Sequence, residues 1–196
     1  MARRIQPRNA DTDDALVADA VERASQETFT HDAPKTLQGQ INFLMRTMKT
    51  AKAIAEEIGV TADSVNRYRR GTRKNPPKQI ADRIEAAVKT RWQPRVRQRA
   101  KKKAATSTGI TVETRAYFGY HAPIGTTDEA RPRRITAHLS PEYARRLFDA
   151  QKGIGTQTPN EVIAEGLQKE YFQDYGRRAS GLEVEFTGID YIDFKF

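Results

Sequence analysis

Hydrophobic positions in this chain change period near Gly109. Before it they recur every three or four residues, the spacing of one helix face; after it several stretches alternate residue by residue, the spacing of one strand face. In the first half, Leu16, Val17 and Ala20 give a narrow stripe and predict a short helix from Asp13 to Gln26. Ile41, Leu44, Met45 and Met48 predict a second helix. Ile80, Ile84, Val88 and Trp92, at successive four-residue steps, predict a helix over 78–92 that Pro94 interrupts. In the second half, Ile110 to Phe118 is β-branched and aromatic and reads as a strand closed by Gly119. Residues 133–139 form another, with Ile135, Ala137 and Leu139 on one face. Pro141 opens a helix carrying Tyr143, Leu147 and Phe148. The capping box Thr158-Pro159-Asn160-Glu161 opens one that runs to about Phe172, with Val162, Ile163, Leu167 and Tyr171 inward. Residues 182–186 and 189–196 alternate around Gly188 as a hairpin.

This pattern predicts a multi-domain chain, α followed by α+β. A mobile N-terminal segment (1–36) precedes a helix-turn-helix bundle (37–93), a basic linker helix or arm (94–108) and an α+β domain (109–196) with four strands. The order strand, helix, helix over 133–172 also admits a ribbon-helix-helix element, in which the strand pairs with its copy in a homodimer. Arg134, Thr136 and His138 would then be its reading face.

Residues 51–70 carry the most specific local signal, Ala-Lys-Ala-Ile-Ala-Glu-Glu-Ile-Gly-Val-Thr-Ala-Asp-Ser-Val-Asn-Arg-Tyr-Arg-Arg. A helix-turn-helix needs a small residue where its helices touch, which Ala55 supplies, and a turn residue tolerant of positive φ, which Gly59 supplies. Ile54, Ile58, Val60, Val65 and Tyr68 would fix the crossing, and Thr61 stands where an N-cap is wanted. The second helix then presents Asp63, Ser64, Asn66, Arg67 and Arg70 to a major groove.

Charge adds the class of partner. The net charge is +9, but residues 37–105 alone carry a net +13, and the flanking stretches are near neutral or acidic. Such concentration is the footprint of a protein that binds a polyanion. Eight of the fifteen residues from Lys89 to Lys103 are basic; Arg95, Arg97, Arg99, Lys101, Lys102 and Lys103 form an arm with no apolar stripe, suited to phosphate contact. There is no cysteine, and His31, His121 and His138 are too far apart for a ligand pair, so no metal site is expected. Glu183, Glu185, Asp190 and Asp193 alternate with apolar residues and read as a solvated strand face. No run is long and apolar enough for a membrane span or a signal core, so a cytoplasmic protein is expected.

One further stretch, Ala122-Pro-Ile-Gly-Thr-Thr-Asp-Glu-Ala-Arg131, matches neither period and reads as a presented loop. It holds two hydroxyls, Thr126 and Thr127, with Arg131, Arg133 and Arg134 after them. These arginines suit bidentate phosphate contacts.

From about Lys89 onward the chain resembles the terminal proteins that cap linear Streptomyces chromosomes and plasmids. The resemblance rests on Arg-Trp-Gln-Pro (91–94), Lys-Lys-Ala-Ala-Thr-Ser-Thr-Gly (102–109), the 122–131 stretch, Ala-Arg-Arg-Leu-Phe-Asp-Ala-Gln (144–151) and Gly-Leu-Glu-Val-Glu-Phe (181–186). It implies a protein, not itself an enzyme, that binds telomeric DNA as duplex and 3′ overhang. Such a protein becomes linked to the DNA 5′ end through a threonine hydroxyl and primes the synthesis that patches the end. It places the acceptor at Thr127, with Thr126 as the alternative. It also implies a telomere-associated DNA-binding protein and a DNA polymerase as partners, the polymerase working with Mg²⁺ and a deoxynucleotide, and a location at the nucleoid. The competing expectation, from the helix-turn-helix alone, is a transcriptional regulator with a C-terminal dimerisation domain.

Overall fold

The computed structural model describes residues 10–121, 127–173 and 183–196. In chain order these form α1 (Ala10–Glu27), α2 (Leu37–Met48), α3 (Ala51–Ile58), α4 (Ala62–Arg70), α5 (Lys78–Arg91), α6 (Pro94–Lys103), β1 (Ile110–His121), β2 (Thr127–Leu139), α7 (Pro141–Ala150), α8 (Pro159–Gly166) and β3 (Glu183–Lys195). Short π-helical turns follow α6 (Ala104–Thr108) and α8 (Leu167–Phe172). The architecture is mixed α+β. It falls into two compact units: Phe29–Val96, and the described residues up to Thr28 together with those from Arg97 onward.

In the Phe29–Val96 unit, three threonines start three helices. Thr36, Thr50 and Thr61 each accept a hydrogen bond from the backbone N–H three residues on, satisfying a donor that the first helical turn leaves open. The helices converge on Ile41, Leu44, Ile54, Ile58, Val65, Tyr68, Ile84 and Val88, all buried. Trp92 closes the bundle end. Its ring meets Phe43 edge-on at 5.0 Å, and its indole N–H donates to the His31 carbonyl at 2.9 Å.

The other unit is built on an antiparallel sheet of order β2-β1-β3. Alternate residues of β1 (Val112, Thr114, Ala116 and Phe118) face inward, as do Ile135, Ala137 and Leu139 of β2 and Phe186, Ile192 and Phe194 of β3. Covering this face are Val17, Ala20, Val21 and Ala24 of α1, Tyr143, Leu147 and Phe148 of α7, and Val162 and Ile163 of α8. Gly109, at φ +67°, joins the π turn to β1; a Cβ there would stand 2.2 Å from the Leu139 carbonyl oxygen, so only glycine fits this approach.

Four expectations change. First, the N-terminal helix is expected from Asp13 to Gln26 with only Leu16, Val17 and Ala20 on its apolar face, in a segment whose residues 1–9 lie outside the described ones. In the structure α1 runs from Ala10, buries Val21 and Ala24 as well, and is anchored by a carboxylate. Buried Asp13 accepts from the backbone N–H of Gly188 at 2.9 Å and of Ile189 at 3.1 Å, and Asp14 accepts from the N–H of Asn160 at 2.8 Å. Second, residues 183–195 are one strand rather than a hairpin, and among the described residues the sheet has three strands, not four. Arg115 pairs with Tyr191 and Tyr117 with Thr187, so the chain bulges around Gly188 without reversing, and Asp13 holds the bulge. Third, β2 begins at Thr127, and Thr127, Asp128 and Arg131 pair with β1 across a register shift, so this part of the stretch is strand and not loop. Fourth, Tyr171 is 47% exposed, because the chain passes from α-helix into a π turn at Leu167 and rotates that ring outward.

Candidate nucleic-acid interface

The stretch expected to be a helix-turn-helix forms α3, a tight turn and α4. Ala55 is buried, and its carbonyl accepts from the N–H of both Gly59 and Val60 at 2.9 Å. Gly59 holds φ +73°, the left-handed turn that ends α3. Val65 and Tyr68 anchor α4, leaving Asp63, Arg67, Arg69 and Arg70 exposed and Asn66 half-buried. Asp63 and Arg67, one turn apart, form an exposed ion pair at 2.8 Å. Ser64 is turned to the cap, its hydroxyl 3.0 Å from that of Thr61, so it presents less to a groove than the sequence suggested. Sequence reasoning passed over Arg69, Arg73 and Lys74, all exposed; Arg73 lies over the Tyr68 ring at 5.5 Å. The signal for them was the charge run itself, which has no helical phase until the anchors are known.

The basic arm is a helix with two unlike faces. Arg97 is mostly buried and ion-paired to Glu22 of α1. Lys101 lies over the Phe148 ring at 5.3 Å, and Ala104 just beyond is fully buried. Burial, with Arg97 adding like charge, pushes the Lys101 ammonium below the usual lysine range. Arg95, Arg99, Lys102 and Lys103 fall on the opposite side and are exposed. The arm was expected to have no buried face because its sequence has no apolar stripe. Aliphatic stems of Arg and Lys supply that face instead.

The three arginines after the threonine pair do not act as one clamp. By register Arg131 and Arg133 stand opposite Phe118 and Ala116, on the side of the sheet that carries the core, and Arg134 stands opposite Arg115 on the other. Arg134 is ion-paired to Glu113 and lies over the Tyr191 ring at 5.9 Å. The Arg134 hydrogen bond, followed by one from the Tyr191 hydroxyl, holds the Glu113 carboxyl below the usual carboxylate range. Thr127 is the first residue of β2, paired in register with His121; Thr126 lies outside the described residues.

Among the described residues no three His, Cys, Asp or Glu side chains gather as a metal site, and no helix is long and apolar enough to cross a membrane. Asp190 pairs with Arg115 at 3.6 Å and Asp193 with Arg23 at 3.7 Å, both as exposed surface pairs. No family model, curated protein or solved structure matches this chain.

Proposed function

We propose that this chain is a telomere terminal protein of a linear bacterial replicon: it binds the DNA end, accepts the first nucleotide on Thr127 and primes end-patching synthesis. The observation that carries the DNA-binding half is α4, capped by Thr61, anchored by Val65 and Tyr68, and open along Asp63, Asn66, Arg67 and Arg70. The exposed cations of α6 add a sequence-independent phosphate contact. The priming half is carried by the resemblance of residues 122–131 and the motifs around them.

In that reaction the threonine oxygen attacks the α-phosphorus of a deoxynucleoside triphosphate. A new O–P bond forms, the bond to the β-phosphate bridging oxygen breaks, and pyrophosphate leaves as a base takes the hydroxyl proton. A free threonine hydroxyl is a weak nucleophile, so rate comes from positioning and from the metal ions of the partner polymerase. This chain is then substrate and primer, and the polymerase treats its hydroxyl as a DNA 3′ end.

The test is transfer of labelled deoxynucleotide to the protein with Mg²⁺, telomeric template and a polymerase-competent extract. Labelling that Thr127→Val abolishes supports the assignment. Undiminished labelling in Thr127→Val moves it to Thr126 or another hydroxyl. Absence of labelling, together with tight sequence-specific duplex binding, favours the transcriptional regulator.

A further inference from the structure

The two edges of the sheet are treated differently. Along β3, α1 donates Arg23 to the Ile192 carbonyl at 2.9 Å and offers the Asp13 carboxylate to Gly188 and Ile189. On the same edge Asn160 donates to the Phe186 carbonyl at 3.4 Å and Gln168 accepts from the Val184 N–H at 3.1 Å. These side chains occupy groups that another strand would need, a common way of closing an edge.

The same bonds fix which way the other backbones point. Because the Ile192 and Phe186 carbonyls face outward, their β1 partners Thr114 and Phe118 turn their own groups toward β2. Ile135 and Arg131, opposite these two, therefore bond to β1, and the alternate positions Pro132, Arg134, Thr136 and His138 point to the other edge. The Ser140 N–H, next in that series, is taken by the Glu170 carboxylate at 2.7 Å. Among the described residues no side chain or main chain bonds to the outward N–H and C=O of Arg134, Thr136 or His138, and all three residues are exposed.

We infer that this edge pairs with the same edge of a second copy, antiparallel and centred on Thr136, to make a continuous six-stranded sheet. The occupant follows from the symmetry of the open stretch. It is bounded four residues before Thr136 by Pro132, which has no N–H, and four residues after it by Ser140, whose N–H is engaged. Two-fold pairing places Pro132 of one copy opposite Ser140 of the other, so both missing donors fall in one pair. Between these ends Thr136 meets its own copy and Arg134 meets His138, with about six main-chain hydrogen bonds in all. A foreign strand would have to match both blocked ends by coincidence; a second copy matches them by construction. This inference does not depend on the priming role.

Cross-linking of the full chain without DNA tests the register, because the chain has no cysteine. Thr136→Cys should form a covalent dimer on mild oxidation, since Cα atoms of a hydrogen-bonded antiparallel pair lie about 5.5 Å apart, within disulfide reach. Arg134→Cys alone should not, its two copies being about 14 Å apart, yet it should join His138→Cys when the two are mixed. In sedimentation the unmodified chain should show a concentration-dependent dimer. Thr136→Pro should raise its dissociation constant at least tenfold with circular dichroism unchanged, because proline at an outward edge position removes no bond to β1. A chain that stays monomeric at every soluble concentration overturns the inference and leaves the edge to a foreign extended strand. A Thr136→Pro variant that dimerises as before, or Arg134→Cys that cross-links alone as readily as Thr136→Cys, also overturns it.

Discussion

Two carboxylates, Asp13 and Glu165, are engaged with partners of opposite kinds. Asp13 is buried against two backbone N–H groups, so Asp13→Ala leaves both without an acceptor and should cost about 2–4 kcal/mol in chemical denaturation. Glu165 meets Arg146, Lys169 and Gln157, and the Arg146 hydrogen bond above all holds its carboxyl down to about 2. The unfolded value is near 4.5, so this contribution is complete above about pH 4.5 and disappears as pH falls toward 2. It should amount to at most ~3 kcal/mol, and Glu165→Gln should flatten the acid limb of the stability–pH curve over that window. A slope unaffected by Glu165→Gln would show that other carboxylates set the acid limb. Neither role was legible in the sequence: Asp13 looked like one polar residue in an acidic stretch, because its partners lie at 188 and 189.

At the scale of elements, α4 and α6 make separable predictions. Asn66→Ala or Arg70→Ala should weaken binding to a cognate duplex by about 1–3 kcal/mol and relax its base preference. Replacing Arg95, Arg99, Lys102 and Lys103 with alanine should weaken binding to all sequences alike and reduce the salt slope by about four. Lys101→Met should leave that slope unchanged, because the ammonium lies over Phe148 rather than on the open face. Binding isotherms at several salt concentrations distinguish these outcomes; an unchanged slope in the fourfold variant would remove α6 from the interface. Helices α3 and α4 and the turn between them were readable in advance because their requirements are local: a small residue, a left-handed glycine and a capping threonine within one short stretch. The division of α6 was not, because phase along a helix of arginine and lysine appears only when something packs against it.

At the scale of the whole molecule, the sheet unit is assembled from discontinuous chain. Deleting the first 28 residues removes Val17 and Val21 from its core, each worth about 1.5 kcal/mol or more of burial, together with Asp13. The truncated protein should lose the thermal transition of the sheet unit, while residues 29–96 keep their own cooperative unfolding. Limited proteolysis should then yield a resistant fragment near those bounds. Retention of both transitions after truncation would show that α1 is dispensable.

Periodicity and capping determined most of the helices, the turn at Gly59, the capping box at Thr158 and the alternation of β2, because each depends on residues within a few positions of one another. The charge block from 37 to 105 is legible in the same local way, and the polyanionic partner it suggests belongs to the proposed function. Only tertiary structure decided that α1 completes the sheet unit, that residues 183–195 bulge instead of turning back, and that Arg134 faces away from Arg133. It also decided that side chains close the β3 edge while, among the described residues, the outward N–H and C=O groups of Arg134, Thr136 and His138 on the β2 edge have no partner. Each of these turns on a carboxylate, a carbonyl or a register whose partner lies tens of residues away, and long-range pairing leaves no period in the chain.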